Sequence, residues 1–270
     1  MTGGGGGSEG AGVAVVGASE RTLWTYWLLR NLEIYGYGSQ IWPINPNRKE
    51  VFGHTCFADL DQIPGRPEIG VIVVRPELAA AAGERLVDLG AASVVVVSNG
   101  FSEAGTEAGI RAEAELVKVC EAGGVRLLGP NCVGYASLHD GFCAIAEPVP
   151  SGMMAGSITV TSHSGAMLSG VLGALAGEGL GMDQCYSIGN GASFDMAASL
   201  EAAVRSPHTK VICAVVEGIP HRERLEEIVA AGHALGKEFV FLLLIGTVHQ
   251  YGRAHKRLSL FSDNPGNISA

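Results

Sequence analysis

The segment "TVTSHSGAM" at residues 159–167 offers three polar side chains suited to anion binding: Ser162, His163 and Ser164. An apolar, strand-like run precedes them, and a run of small and apolar residues typical of a helix begins at Gly165. Hydroxyls and unpaired backbone N–H groups at the start of a helix form a natural site for an anion. The segment therefore predicts an anion-binding turn at residues 162–165.

Four loops in the first half of the sequence also place small or polar residues directly after apolar runs. They are "GASER" (17–21), "NPNRK" (45–49), "SNGFSEAG" (98–105) and "GPNCVG" (129–134). In open α/β sheets the ligand lies at the carboxyl ends of the strands, where such loops gather. The loops predict a nucleotide-type ligand whose phosphates lie near Gly17 and Ser19.

Short β-branched runs alternate with longer amphipathic stretches along the chain. Strand-like runs lie at 13–19, 39–45, 69–75, 92–98 and 125–129, and then at 158–162, 184–189, 210–218 and 238–246. Helical periodicity lies at 23–35, 77–89, 107–122, 165–178, 194–205 and 221–235. Strands that are apolar throughout are typical of parallel sheets covered on both faces. A Pro/Gly/Ser-rich stretch at 147–157 divides the pattern, so we expect an α/β fold of two units joined near residue 150.

Composition excludes several classes of protein. A net charge of −9 argues against nucleic acid as the main partner, and no apolar run reaches the roughly 18 residues that a membrane span requires. The six cysteines are scattered without zinc-site spacing, which predicts a reduced, cytoplasmic protein with no metal site. The glycine-rich residues 1–11 lack the features of a signal peptide and predict a flexible leader.

Taken in order, "VVGASE", "WPINPN" with "VFG", "VVVVSNGFSEAG" and "RLLGPNCVG" resemble the CoA-binding domain of the succinyl-CoA synthetase superfamily, in its NDP-forming acyl-CoA synthetase branch. "TSHSGAM", "YSIGNGASFD" and "VVEGI" continue the resemblance to about residue 246. It implies a Rossmann-like CoA-binding domain at 12–148, followed at 152–270 by a flavodoxin-like succinyl-CoA ligase-type domain that is incomplete at its C-terminus. Within the branch, the sequence is similar to feruloyl-CoA synthetases.

The resemblance implies a set of CoA-binding residues in the first unit. They are Gly17, Ala18 and Ser19 at the phosphates, Lys49 or Arg48 at the diphosphate or 3′-phosphate, Ser98, Asn99 and Phe101 along the pantetheine, and Asn131 and Cys132 near the thiol. Each also has a structural interpretation, such as an ordinary strand-to-helix turn capped by Ser19. Cys132 has no base near it in the sequence, so we expect a small buried residue rather than a nucleophile.

In the second unit the resemblance implies phosphate or acyl-phosphate binding by Ser162, His163, Ser164 and Gly165, and a catalytic role for Glu217 in orienting a phosphorylated histidine. Leu260 stands where the family has that histidine. His249 and His255, in a polar stretch that we expect to be a loop, are the nearby substitutes. We expect His255 to be the catalytic one because it follows the family-like Gly252–Arg253 pair; alternatively, both are solvated loop histidines.

The activity that the resemblance implies is that of an acid–thiol ligase. It would form an acyl-CoA from a small carboxylic acid, CoA and ATP through phosphohistidine and acyl phosphate, and hydroxycinnamic acids such as ferulic acid are favoured. The sequence contains no ATP-grasp segment and no G-x-x-x-x-G-K-[ST] loop. We therefore expect an ATP-grasp partner subunit or domain to hold ATP with its Mg²⁺, and an oligomer could form.

Two other classes of protein stay open. One is a non-catalytic CoA-binding or regulatory subunit that senses acyl-CoA. The other is an NAD-dependent dehydrogenase, which is disfavoured because Gly17 lacks the further glycines of G-x-G-x-x-G and the second strand ends in Asn45 rather than an acidic residue.

Overall fold

The computed structural model describes residues 11–37, 40–218, 222–248 and 254–262, with only the backbone at Ala11 and from residue 245 onward. Helices pack on two separate large sheets, and a small two-stranded sheet accompanies the first of them. The predicted α/β class is confirmed.

The first sheet contains five parallel strands. The first strands in sequence are β1 (Ala11–Val16) and β2 (Ile41–Ile44), followed by a small hairpin of β3 (Glu50–Val51) and β4 (His54–Thr55). Next come β5 (Arg66–Ile72), β6 (Ser93–Val96) and β7 (Arg126–Leu128), and the sheet order is β2-β1-β5-β6-β7. Because β2 and β5 lie on opposite sides of β1, the chain reverses direction across the sheet there. Such a reversal opens a crevice at the carboxyl ends of the strands.

Three helices cover the first sheet: α1 (Leu23–Ile34), α2 (Pro76–Asp88) and α3 (Glu107–Ala122). Each begins at a recognisable signal. The side chains of Thr22 and Thr106 accept hydrogen bonds from the first turns of α1 and α3, and Pro76 opens α2. Proline is well placed there because the first N–H groups of a helix have no partner in the helix.

The second sheet has seven strands. They are β8 (Gly134–Ser137), β9 (Phe142–Ile145), β10 (Ala155–Ser162), β11 (Met182–Ser187), β12 (Val211–Val216), β13 (Glu238–Val248) and β14 (Ala254–Ser262), in the order β14-β13-β12-β10-β11-β8-β9. The four central strands β10 to β13 are parallel, whereas β8, β9 and β14 are antiparallel additions at the two edges. The helices are α4 (Gly165–Gly177), α5 (Met196–Arg205) and α6 (Arg222–Ala234).

Strands β8 and β9 belong to the second sheet although they precede the predicted domain boundary at residues 148–152. They lie within the predicted first domain in sequence, yet β8 pairs with β11 of the second sheet. Tyr135 of β8 is opposite Tyr186 of β11, and both side chains are buried with their ring centroids 6.1 Å apart. Burial of these aromatic rings favours the pairing. The change from one sheet to the other therefore lies between β7 and β8, at residues 129–133.

Helix α1 joins the two sheets. Leu28, Leu29 and Leu32 are buried in one core cluster that extends from β1 to β8, β11 and β12. Asn31 is also buried, and its Nδ2 donates to the carbonyls of Ile145 (2.7 Å) and Glu147 (2.8 Å). The two units therefore share a continuous core.

Strand β14 corrects the expectation that His255 lies in a loop. His255 is part of β14 and pairs with Thr247 of β13 in antiparallel register. Residues 254–262 alternate partly between polar and apolar types, as a strand at the edge of a sheet does. His249 lies outside the described residues.

Candidate functional site

The turn after β1 is shaped by Gly17. Its φ is +86°, its N–H donates to the carbonyl of Ile44 (2.9 Å), and a Cβ at this position would lie 2.6 Å from Val74 Cγ1. Ala18 is completely buried, so its side chain belongs to the core. Ser19 is half-buried, and its Oγ accepts from the N–H of Arg21 (3.2 Å). Glycine thus brings this turn close to the segment after β5, and the helix that follows is capped by Thr22 rather than by Ser19.

The loop after β6 lies against the loop after β7. The N–H of Asn131 donates to the carbonyl of Ser98 (2.9 Å), and Asn131 has a φ of +57°. The Ser98 side chain is only 6% exposed, and its Oγ has no hydrogen-bond partner among the described residues. Asn99 beside it is exposed. A buried hydroxyl without a partner is costly, which favours a ligand group at this position.

Two of the residues considered for CoA, Cys132 near the thiol and Phe101 along the pantetheine, are core residues. Cys132 is 3% exposed with its Sγ 3.3 Å from the carbonyl oxygen of Val96, and burial raises the pKa of its thiol to about 12. The thiol is therefore protonated near neutral pH, as expected for a structural cysteine. Phe101 is fully buried. Neither side chain faces solvent.

The basic residues after β2 lie beside the small hairpin. Lys49 is exposed and Arg48 is half-buried. Asn45 fixes the start of this loop, because its Oδ1 accepts from the N–H of Asn47 (2.9 Å) and its Nδ2 donates to the carbonyl of Ala18 (2.8 Å). The second of these bonds joins the loop after β2 to the loop after β1.

The predicted anion-binding turn lies at the start of α4. The hydroxyl of the buried Ser162 donates to the carbonyl of Ser164 (2.7 Å) and accepts from its N–H (3.1 Å), so Ser162 shapes the turn. Ser164 is the N-cap, and its Oγ accepts from the N–H of Met167 (3.4 Å). The N–H groups of Gly165 and Ala166 have no hydrogen-bond partner among the described residues. These two donors and the helix dipole are suited to an anion.

His163 and Glu217 are neighbours because β10 and β12 are adjacent strands. The N–H of Glu217 donates to His163 Nδ1 (3.4 Å), and Glu217 itself is exposed. Burial lowers the pKa of His163, and Glu217 and the carbonyl of Val215 offset this only in part. A neutral ring that accepts a hydrogen bond at Nδ1 carries its proton on Nε2. The single N–H of a neutral His163 ring could serve either the carbonyl of Val215 or a bound anion.

Glu147 is a residue of this region that the sequence did not single out. Its Oε1 lies 3.7 Å from the place where a Cβ on Gly165 would be, and its Oε2 accepts a hydrogen bond from Ser169. A carboxylate therefore lies beside the first turn of α4. In the sequence, Glu147 is part of a Pro/Gly/Ser-rich connection, and only its proximity to α4 in space distinguishes it.

The structure does not bring His255 next to Glu217. Glu217 follows Val216, which pairs with Leu243, and His255 pairs with Thr247 on the far side of β13. His255 is thus about three residues further along and two strands away. At about 3.3 Å per residue and about 4.8 Å per strand, the backbones are about 14 Å apart.

Within the described ranges, no three His, Cys, Asp or Glu residues are arranged to hold a metal ion. No helix of that same part of the chain is long and apolar enough to cross a membrane.

Comparison with known proteins identifies the two units. A model of the CoA binding domain matches residues 12–137, and a model of the succinyl-CoA ligase like flavodoxin domain matches residues 155–257. The chain is 32% identical over 222 residues to the alpha subunit of an ADP-forming acetate–CoA ligase II from Pyrococcus furiosus, which covers 80% of this chain and 47% of that subunit. It is 30% identical over 236 residues to a trans-feruloyl-CoA synthase from an unknown prokaryotic organism, covering 85% of this chain and 33% of that protein.

A solved structure supports the same assignment. The dinucleotide forming acetyl-coenzyme A synthetase 1 of Ca. Korarchaeum cryptofilum, also solved with phosphate and ADP, superposes with a TM-score of 0.77 at 30% identity. The match covers 87% of this chain and 50% of the synthetase. The protein is thus one that joins a CoA-binding domain to a succinyl-CoA ligase-like domain. More particularly, it belongs to the NDP-forming acyl-CoA synthetase family. The chain spans half or less of the length of these relatives.

Proposed function

We propose that this chain is the CoA- and acyl-phosphate-binding part of an acid–thiol ligase, which forms an acyl-CoA from a small carboxylic acid, CoA and ATP. The observation that carries the proposal is a contact between loops of the two units: the loops after β6 and β7 meet the loop after β11. Asn131, in the loop after β7, hydrogen-bonds to Ser98 of the first unit and to Asn190 of the second. A thiol held at the first unit would thus lie close to a phosphorylated acid held at the second.

CoA binding is proposed for the carboxyl ends of β1, β2, β6 and β7. The turn at Gly17, Ala18 and Ser19 would meet the phosphates through its backbone, with Lys49 or Arg48 as the positive partner. Asn99 and the unpartnered hydroxyl of Ser98 would meet the polar groups of the pantetheine. Asn131 would lie near the thiol, whereas Cys132 would contribute only its backbone because its side chain is buried.

Phosphate or acyl phosphate is proposed to bind at the start of α4. The N–H groups of Gly165 and Ala166 supply two donors, the hydroxyl of Ser164 lies beside them, and Nε2–H of His163 adds a further one. Ser162 would act through the shape of the turn. Glu217, whose N–H donates to His163 Nδ1, would orient a phosphorylated histidine.

The proposed reaction has three balanced steps. A histidine nitrogen attacks the γ-phosphorus of ATP, and the bond to the β-phosphate oxygen breaks to release ADP. A carboxylate oxygen of the acid then attacks that phosphorus, forming an acyl phosphate and freeing the histidine. Finally, the CoA thiolate attacks the acyl carbon and expels phosphate, so the covalent relay divides one difficult displacement into easier steps.

His255 remains our proposed phosphate carrier, and ATP with its Mg²⁺ would be held by an ATP-grasp subunit or domain outside this sequence. The separation of about 14 Å means that the β13–β14 hairpin would have to move toward Glu217 during the cycle. We propose a cytoplasmic location, which the six unpaired cysteines support.

Two acids deserve direct comparison as substrates. Hydroxycinnamic acids such as ferulic acid are our first proposal, supported by the feruloyl-CoA synthase relative. Acetate is the competing substrate, since the relatives from Pyrococcus furiosus are acetate–CoA ligase subunits. A coupled assay of CoA consumption with each acid, run with and without candidate ATP-grasp partners, tests the proposal. Absence of thioester with every partner and acid would contradict the ligase function.

A CoA-sensing subunit without catalysis is the second candidate. The strand placement of His255, away from Glu217, favours it. CoA binding measured by calorimetry, together with no labelled phosphate on the chain in the presence of ATP and a partner, would select the sensor. Acid-labile, base-stable phosphate mapped by mass spectrometry to His255 would select the ligase.

A further inference from the structure

The side chain of Asn190 is a junction between the two units. Asn190 follows β11 in the second unit, and its Nδ2 is 2.6 Å from Glu103 Oε2 and 2.7 Å from Glu113 Oε2, both in the first unit. Glu103 belongs to the loop after β6, and Glu113 lies on α3. The amide nitrogen of Asn190 thus serves two carboxylates of the neighbouring unit, with Ser102 Oγ as a third acceptor at 3.2 Å.

The other groups of Asn190 contact the loop after β7. Its Oδ1 accepts from Asn131 Nδ2 (3.3 Å), and its N–H donates to the carbonyl of Pro130 (2.9 Å). Asn131 in turn donates its N–H to Ser98. Asn190 is therefore one or two hydrogen bonds away from Ser98 and Asn131, two of the residues proposed for CoA.

The same segment is attached to the anion-binding turn. The N–H of Ile188 donates to the carbonyl of Ser162 (2.7 Å), and Ser187 Oγ accepts from the N–H of Val133 (3.0 Å). Residues 187–190 thus join the loop that leads to α4 with the loops that surround the proposed CoA site. One short segment, buried at Ser187 and Ile188 and half-buried at Gly189 and Asn190, thus connects the two proposed sites.

The charges around Asn190 require an amide at this position. Glu103 Oε1 accepts from the N–H groups of Gly100 and Phe101, and Glu113 Oε2 accepts from Ser102 Oγ (2.8 Å). Burial alone would raise the pKa of Glu103, but the hydrogen bonds from Asn190, Gly100 and Phe101 outweigh it and lower the pKa. Glu103 is thus a carboxylate that needs a donor opposite its Oε2. An acidic residue at position 190 would place its carboxylate against those of both Glu103 and Glu113.

We propose that Asn190 is a positioning residue that couples CoA binding in the first unit to phosphate binding at the start of α4. The inference rests on the proposed function, since it assumes both ligands. Coupling of this kind is a free energy shared by two sites, so each ligand must change the affinity of the other by the same factor.

The test measures the dissociation constant of CoA by calorimetry on the full chain, with and without saturating inorganic phosphate. We expect the two constants to differ by about tenfold in the wild type, within the usual range of allosteric coupling. The reciprocal titration of phosphate, with and without CoA, should give the same factor. Asn190→Asp should reduce the factor to about one.

A charge-exchange variant separates positioning from general damage. In Asn190→Asp/Glu103→Gln, the new Gln retains an oxygen for the N–H groups of Gly100 and Phe101 and presents its amide to the new Asp. The coupling should return only in part in this double variant, because the carboxylate of Glu113 still faces the new Asp. Gln62→Glu, at an exposed position of the first unit, adds the same charge as Asn190→Asp and should leave the coupling unchanged.

The outcomes distinguish failure of the proposed function from failure of the coupling role of Asn190. Failure of the wild type to bind CoA would overturn the proposed function itself. CoA and phosphate binding without coupling, or coupling that survives in a folded Asn190→Asp variant, would overturn this inference alone. If Asn190→Asp does not fold, Asn190→Ala decides, because it removes the same hydrogen bonds without adding a charge: full coupling in a folded Asn190→Ala variant would refute the role of Asn190.

Discussion

Replacing Gly17 with alanine tests how the turn after β1 is built. With a φ of +86°, any residue with a Cβ is strained here, at a cost of about 1–2 kcal/mol. The new Cβ would also lie 2.6 Å from Val74 Cγ1 and 3.1 Å from the backbone carbon of Val73, so a strand end has to move. Overpacking of this kind costs about 1–3 kcal/mol. We therefore expect Gly17→Ala to lower the free energy of unfolding by about 2–5 kcal/mol and to weaken CoA binding.

Gly53 is a matched control for this change. Its φ is +84°, but no atom lies within 4 Å of its added Cβ. Gly53→Ala should therefore show only the conformational cost of about 1–2 kcal/mol. Urea unfolding followed by circular dichroism, at the same pH and protein concentration, compares the two variants. Equal losses of stability in both would show that the contact between residue 17 and the segment after β5 does not constrain the turn as described.

Three further changes address the two binding sites. Ser19→Asp should weaken CoA binding by at least about 1 kcal/mol, because the new carboxylate repels the phosphates of CoA. Thr106→Asp at the start of α3 is the control and should not weaken it. Equal CoA affinities of both variants in calorimetry would contradict the role proposed for Ser19. Glu147→Gln should strengthen inorganic phosphate binding at α4 several-fold, because it removes a negative charge beside the site. Glu178→Gln, at the far end of the helix, should leave the phosphate affinity unchanged. A weaker phosphate affinity in Glu147→Gln would refute the prediction. For His163, burial holds the pKa below its ordinary 6.5, so the unfolded chain binds the proton first as the pH falls, and stability should rise with pH through the window just below 6.5. Urea midpoints between pH 5 and 7 measure this, and an unchanged profile in His163→Gln would show that another group is responsible.

The central strands and all six helices could be predicted from the sequence because their signals are local. The run "SVVVV" becomes β6, and the helical periodicity at 107–122 becomes α3 with the same bounds. Strands β8 and β9 were missed because neither sequence, GYAS or FCAI, contains a β-branched run, and their burial depends on partners distant in sequence. One local signal was available: Asp140–Gly141 separates two apolar runs, as in many hairpins. Strand β14 was missed because the resemblance to the family favoured a loop there.

The site residues likewise divide into those with a local sequence signal and those whose position depends on contacts distant in sequence. Gly17 and Ser164 could be identified because a tight turn and a helix cap leave local patterns. The burial of Cys132 was expected from the sequence and is confirmed. The burial of Ala18 and the contacts of Glu147 and Asn190 could not be predicted, since they depend on how one sheet packs beside the other. The family resemblance included "YSIGNGASFD", but it assigned no role to Asn190. That role required the positions of Glu103 and Glu113.

Because β8 and β9 belong to the second sheet, the position at which the chain is cut decides whether a fragment of the second unit keeps its sheet intact. A fragment that begins at residue 152 would lack this hairpin, leave the long edge of β11 unpaired and uncover the ring of Tyr186. Open strand edges with apolar faces promote aggregation. A cut within residues 129–133 keeps the hairpin with its sheet but still divides the contacts of α1 with Ile145 and Glu147. Expression trials of isolated halves should therefore begin at residue 134 and supply the first half in trans, as in a split-protein complementation experiment.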